Sequence, residues 1–285
     1  MNSVFDDRRC WLGEGPLWHP GRNQFFWFDI RSNLLLSRDS NGPQTWDFGE
    51  NVSAAGWLSD TELLVASETG LLRFDIETRR RESVLPLEAD DPTTRSNDGR
   101  ADPWGGFWIG TMGKAGEPGP GRIYRYYRGE LRTLYDRIKI PNAICFTPDR
   151  RYAYFTDSAT YVVQRVLLNS EDGWPAEDPV PWLDLRAERL LPDGAVVDTS
   201  GNVWIAHWGA SRVTCYGPDA RPIQSIGFPA LNTSCPAFGG PEMSTLFCTT
   251  ATQYLPKDRE TEDEQGRTYH APTDAVGQPE HKVIL

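Results

Sequence analysis

TTRSNDGRADPWGGFWIGTM, residues 93–112, places a compact polar cluster of Arg95, Asn97 and Asp98 ahead of a turn at Pro103-Trp104-Gly105-Gly106. The apolar run Phe107-Trp108-Ile109 follows directly. Gly and Pro favour the turn, and aromatic and branched side chains favour a strand after it. The stretch reads as a polar loop anchored by an aromatic strand.

The same outline recurs along the chain. Residues 14–29 read EGPLWHPGRNQFFWFD, 53–67 SAAGWLSDTELLVAS, 142–157 NAICFTPDRRYAYFTD, 193–207 DGAVVDTSGNVWIAH and 235–250 CPAFGGPEMSTLFCTT. With the opening stretch these make six copies, several of which continue into a third strand (GRIYRY, 121–126) and a charged fourth (GELRTL, 129–134). Copies three to five start at 97, 142 and 193, which are 45 and 51 residues apart. A repeat of about 40–50 residues with strands and no helical periodicity is the signature of a β-propeller. The expectation is an all-β, six-bladed β-propeller with a central channel, one domain spanning residues 1–285. Ring closure is expected from the C-terminal His281-Lys282-Val283-Ile284-Leu285, beside Ser3-Val4-Phe5 and Cys10-Trp11-Leu12. Residues 254–277 are expected to form an exposed, charged loop in the last blade.

Composition agrees with many short strands: 26 Gly, 22 Pro, 11 Trp and 12% aromatic residues in 285. Net charge is 29 − 40 = −11, a surface that repels phosphate backbones and anionic lipid, so neither nucleic acid nor membrane is an expected partner. The N-terminus lacks a basic segment followed by an apolar run, and no stretch approaches the roughly 20 apolar residues of a membrane-spanning helix. A cytoplasmic location is expected. Cys10, Cys145, Cys215, Cys235 and Cys248 are widely spaced, without a C-x-x-C pair, and read as small buried side chains in a reducing compartment.

Aligning the copies on their second strand puts Glu14 twelve residues before Phe26, Asn97 eleven before Trp108, Asn142 twelve before Tyr154 and Asp193 eleven before Trp204. Inner strands of a propeller line its channel, so these four side chains are expected to converge at one mouth. Ser53 and Cys235 stand near the corresponding place in the other two copies. An all-oxygen set without His or Cys suits a hard divalent cation such as Ca²⁺, Mg²⁺ or Mn²⁺, which would also offset the repulsion of two carboxylates. The alternative is that these residues only form turns, which Asn and Asp favour. Motifs for zinc proteases, nucleophile elbows and Walker-type phosphate loops are missing from the sequence. His207, at the end of the fifth copy's second strand, reads as structural.

G-E-G-P-L-W at 13–18, R-S-N-D-G-R at 95–100 with D-P and G-T-M after it, Pro141-Asn142, Asp157-Ser158 and L-P-D-G at 191–194 together resemble the senescence-marker-protein/gluconolactonase/luciferin-regenerating-enzyme family. The resemblance covers nearly the whole chain in the family's order, and His207-Trp208-Gly209 and Phe238-Gly239-Gly240 make it most similar to bacterial sugar lactonases. It implies a six-bladed propeller with one divalent cation at the top of the channel, Ca²⁺ first, with Mg²⁺, Mn²⁺, Zn²⁺ or Fe²⁺ as further candidates. It implies Glu14, Asn142 and Asp193 as metal ligands, Asp193 also as catalytic base, and Arg95 and Asn97 as substrate-binding residues. Glu117, in the Gly/Pro-rich loop 114–121, is the one candidate for a further substrate contact. Ala143 departs from the glycine that relatives usually carry there, with an expected effect on local backbone rather than chemistry.

The function that follows is metal-dependent hydrolysis of a sugar-acid lactone to the open aldonic acid. A calcium-dependent organophosphate or aryl-ester hydrolase and a non-catalytic metal-binding propeller are the competing expectations, and a hydrophilic pocket favours polyols over aryl esters. The sequence does not choose among glucono-, xylono-, arabinono-, galactono- or substituted lactones, nor set the oligomeric state.

Overall fold

The computed structural model describes residues 2–117 and 121–285; Pro118, Gly119 and Pro120 of the 114–121 loop lie outside the described residues. Its strands form six four-stranded antiparallel sheets arranged as the blades of a propeller. The inner strands are Gly13–His19, Val52–Ser59, Thr94–Ala101, Pro141–Phe146, Leu191–Val197 and Asn232–Gly239. Among the described residues the only helical elements are three 3-10 turns of three residues each, none long or apolar enough to cross a membrane.

Burial grades from the channel outwards, as stacked sheets require. Inner and second strands such as Pro141–Phe146 and Gln24–Asp29 are buried throughout, because both faces pack on neighbouring blades. Outermost strands such as Arg81–Pro86 and Pro222–Gly227 are largely exposed and alternate poorly. The D-P-W-G-G turn at 102–106 is organised by Asp102: its Oδ1 accepts the N–H of Trp104 at 2.9 Å and of Gly106 at 3.0 Å. Oδ2 of the same residue accepts Arg125 Nε at 2.7 Å, a fully buried ion pair. Asp198 repeats the turn in the fifth blade, accepting from Ser200 and Asn202 N–H at 2.9 Å.

Closure of the ring differs from expectation. The N-terminal strand Ser3–Asp6 does join the last blade, but it pairs with Thr268–Pro272 and not with residues 281–285. The third strand of that blade therefore lies inside the stretch expected to be all loop, where Tyr269 and Ala271 turn inward. The C-terminal segment instead crosses the channel end remote from Glu14 and Asp193. Gln278 Nε2 donates to the Phe146 and Val197 carbonyls, Val283 N to Trp57 O at 3.0 Å and Ile284 N to Gly105 O at 2.9 Å. Glu280 pairs there with the buried Arg100. Val283 fills the space left by Gly56, where a Cβ would come within 2.5 Å of it. Val283 thus serves as a plug rather than as part of a strand edge, while Ile284 and Leu285 are exposed.

The register places the aligned residues at equivalent points. Phe26 pairs with Leu17, Trp108 with Arg100, Tyr154 with Cys145 and Trp204 with Val196. Glu14, Asn97, Asn142 and Asp193 each stand three positions ahead of those partners. At that point the pairing with the second strand shifts in every blade, between Glu14 and Leu17, Val52 and Ala54, Ser96 and Gly99, Asn142 and Cys145, Pro192 and Ala195, and Thr233 and Pro236. Such bulges redirect side chains that a regular pleat would send sideways.

Candidate active site

Glu14, Asn97, Asn142 and Asp193 line one cavity of about 160 Å³ at the channel mouth, together with Arg95 and Ser158. All six are buried. Leu12, Met112, Ile140, Leu191 and Trp208 form its walls, and Gln253 and Tyr254 its rim. The pocket expected to be hydrophilic therefore has a polar floor beneath largely apolar walls.

A chain of hydrogen bonds runs across three blades along that floor. Arg95 Nη1 donates to Asn97 Oδ1 at 2.8 Å, and Asn97 Nδ2 donates to Asn142 Oδ1 at 3.0 Å and to Pro141 O at 2.9 Å. Asn142 Nδ2 donates to Ser158 Oγ at 2.9 Å, and Ser158 Oγ donates to Pro192 O at 2.6 Å, next to Asp193. Two carbonyls, which only accept, fix the sense of the whole chain. Asn97 must donate to Pro141, and Ser158 must spend its proton on Pro192. Asn142 is therefore held with its amide oxygen toward Asn97 and one lone pair of that oxygen uncommitted.

The carboxylates carry the opposite problem. Among the described residues Glu14 accepts only the adjacent Gly15 N–H, at 3.2 Å, and neither Glu14 nor Asp193 forms an ion pair. Burial raises the pKa of both; the charge of Asp98 raises Glu14 further, and the charges of Glu14 and then Asp98 raise Asp193 further. Asp98 itself, accepting the Ile144 N–H at 2.8 Å, is pushed up to about 6, chiefly by burial. Arg95 opposes these shifts by its charge, yet its donors go to Ser96 O and Asn97, and its buried Nε has no partner. Burial and then the charge of Arg31 lower the Arg95 pKa to about 10.

The donor set fits a divalent cation. Two buried carboxylates without a cationic contact, beside an oriented amide oxygen, offer only hard oxygen ligands. Among the described residues there is no cluster of three or more His, Cys, Asp and Glu side chains suited to a metal; this set contains two carboxylates and an amide.

Glu117 is not among the residues lining the cavity. Its carboxylate turns back to accept the Ala115 N–H at 3.0 Å. His207 lies buried with Nε2 3.1 Å from Tyr216 Oη, and burial pushes its pKa down to about 4, which keeps it neutral and structural. All five cysteines are free and buried. Ser53 donates to Ser96 Oγ at 2.8 Å, and Cys235 packs where a side chain on Gly194 would clash. Gln253 and Tyr254 were not singled out from sequence, and Ser158, Met112, Leu191 and Trp208 entered there only as motif residues, without a role in the site. Ser158, Gln253 and Tyr254 come from connections, and the walls Met112, Leu191 and Trp208 from strand ends, rather than from the aligned strand positions.

A six-bladed propeller whose inner strands deliver carboxylates and amides to one buried floor defines the class. The chain belongs to the SMP-30/gluconolactonase/LRE-like family, whose model matches residues 12–252. Pentonolactonase XacC from Haloferax volcanii is 31% identical over 97% of this chain and 96% of its own length. L-arabinolactonase from Azospirillum brasilense is 30% identical over 92% of this chain and 88% of its own. The crystal structure of a calcium-binding protein, regucalcin, from Agrobacterium tumefaciens strain C58 superposes with a TM-score of 0.97 at 35% identity, covering 100% of this chain and 98% of that one.

Proposed function

We propose that this chain hydrolyses the lactone of a sugar acid to the open acid, using one divalent cation held by Glu14, Asn142 and Asp193. The observation that carries the reading is the pair of buried, mutually repelling carboxylates beside the oriented amide of Asn142. Relatives named as lactonases and the calcium-binding neighbour support the same assignment, with Ca²⁺ the first candidate. When bound, the cation would supply electrostatic stabilisation of the charge that develops on the lactone oxygen.

The side chains then divide the remaining work. Asp193 accepts the proton of the attacking water, since it borders the cavity and, among the described residues, no side chain donates to it. Arg95 and Asn97 hold substrate hydroxyls from the third blade, with Arg95 Nε the unspent donor. Leu12, Met112, Ile140, Leu191 and Trp208 pack against the ring's C–H faces and exclude water. Glu117 enters the reading only as an outer contact of the 114–121 loop.

A panel of aldonolactones, followed by acid release and corrected for spontaneous opening, tests the reading directly. Lack of turnover of every member in calcium-loaded protein overturns it. The apolar walls favour one second reading, hydrolysis of aryl esters or organophosphates. Faster hydrolysis of paraoxon than of any aldonolactone would establish that alternative.

A further inference from the structure

The inner cavity does not end at its rim. Gln253 and Tyr254 also line a wider, open hollow of about 660 Å³, and Leu12 of the inner wall is followed outward by Trp11 on the hollow's side. Arg9, Arg31 and Glu260 supply the hollow's charges. Tyr254, at the shared rim, is 77% exposed and sits in the left-handed region at φ 59°, an unusual conformation for a bulky residue.

The two arginines are held but not neutralised. Arg9 donates from Nε to Gln265 O and from Nη2 to Glu260 O, both at 3.0 Å, so it contacts the Glu260 backbone and not its carboxylate. Arg31 is half-buried and stacks on the Trp11 ring at 5.4 Å. Among the described residues its guanidinium has no hydrogen-bond acceptor and no carboxylate partner. The neighbouring Asp29 is already committed to the Trp11 and Leu12 N–H groups and the Ser32 hydroxyl. Arg31 is also near enough to Arg95 for its charge to be felt at the cavity floor. A planar set of N–H donors fixed by an aromatic ring and left unmet is the arrangement that recognises a carboxylate or phosphate through paired hydrogen bonds. On a chain of net charge −11 such a positive hollow runs against the surface as a whole.

We propose that this hollow is a second subsite that binds an anionic group, carboxylate or phosphate, on the part of the substrate remote from the lactone carbonyl, with Arg31 its main partner and Arg9 beside it. The inference rests on the lactonase reading for what occupies the inner cavity, and it narrows the substrate class to acidic lactones.

Matched lactones differing in that one group test it. D-glucono- and D-galactono-1,4-lactone are compared with the corresponding aldaro-1,4-lactones, which carry a terminal carboxylate, and D-glucono-1,5-lactone with its 6-phosphate. The carboxylate and phosphate arms separate the two sources of charge. The expected result is a kcat/KM about tenfold or more higher for the anionic member of at least one pair, as a charge-assisted hydrogen bond would give. That ratio falls with added salt, collapses toward one in Arg31→Gln and recovers in part in Arg31→Lys. Equal or better use of the neutral member in every pair, or a ratio unchanged by Arg31→Gln, overturns the proposal. Calorimetric binding of glucarate against gluconate gives an arm independent of turnover. Tighter binding of the diacid, lost in Arg31→Gln, with no lactone hydrolysed, would sink the lactonase reading and leave the anion subsite standing; equal binding would sink the subsite.

Discussion

Asn142 donates from Nδ2 to Ser158 Oγ at 2.9 Å, and that hydroxyl has already given its proton to the Pro192 carbonyl at 2.6 Å. Ser158 thus couples the fourth blade's candidate ligand to the residue before the fifth blade's. Ser158→Ala leaves the Asn142 amide free to rotate and the Pro192 carbonyl unmet. Partners that orient a ligand from behind typically account for about 10–100-fold in metal affinity. A loss of that size in Ca²⁺ affinity by calorimetry, largely recovered in Ser158→Thr, is the expected outcome. Unchanged affinity in Ser158→Ala would show that Asn142 needs no such support.

Asp193 has two separable effects. Asp193→Asn removes the proton acceptor and one ligand charge, so turnover is expected to fall by about 100-fold or more. The same change removes one of two buried carboxylates that repel each other. In chelator-treated protein its Tm should therefore rise above that of the unsubstituted chain, while added Ca²⁺ should raise Tm less. Near-normal turnover in this variant would remove Asp193 from the chemistry.

Chelation supplies a further check on the cation. Treatment of the unsubstituted protein with a chelator should abolish lactone turnover and lower Tm, because ligand binding to the folded state alone adds stability. Restoration by a panel of divalent ions ranks them. Full activity after exhaustive chelation would mean that the carboxylate pair serves structure only.

Strong acid should weaken ring closure. Burial favours the protonated form of Asp6, but hydrogen bonds from Arg8 and Arg38 outweigh it and hold the carboxyl below its usual range. Arg8 Nε and Arg38 Nε both lie 2.8 Å from it, and the Asp6 side chain is fully buried. A depressed folded pKa means that this stabilisation is complete above the unfolded value, near 4, and is lost as pH falls through the lower folded value. Asp6→Asn, leaving two arginines facing a neutral amide, is expected to cost about 2–4 kcal/mol at pH 7. Its Tm should then fall less steeply than the parent's below about pH 4. Parallel acid profiles for the two proteins would show that Asp6 carries none of this dependence.

Much of the fold was legible because a propeller repeats its physics. Each blade needs an apolar inner pair and a turn, so Phe26, Trp108, Tyr154 and Trp204 recur in register and carry Glu14, Asn97, Asn142 and Asp193 with them. What lay outside the repeat was not legible. The segment 281–285 has a strand's composition, but its place is set by the space beside Gly56 and by carbonyls at the channel's far end. Ser158 and Tyr254 belong to connections, where no period predicts position, and the apolar walls are drawn from several blades. Nor does a sequence pattern disclose the bulges that turn the candidate ligands inward.

Ala143 records the cost of one such bulge. It follows Asn142 at φ 56°, a left-handed conformation like that of Gly15 after Glu14 at φ 54°. A Cβ there costs roughly 1–2 kcal/mol, against about 0.5–1 kcal/mol of extra chain entropy lost by glycine on folding. Relief of strain wins by a small margin. Ala143→Gly is therefore expected to stabilise the protein by about 0.5–1 kcal/mol, seen as a Tm rise of about 1–3 °C. Ala143→Val, with a branched side chain at the same φ, should lose stability and perturb Asn142 enough to weaken Ca²⁺ binding. A lower Tm for Ala143→Gly would show that packing of the buried Ala143 methyl group among Cys145, Tyr154 and Ala195 outweighs the backbone strain.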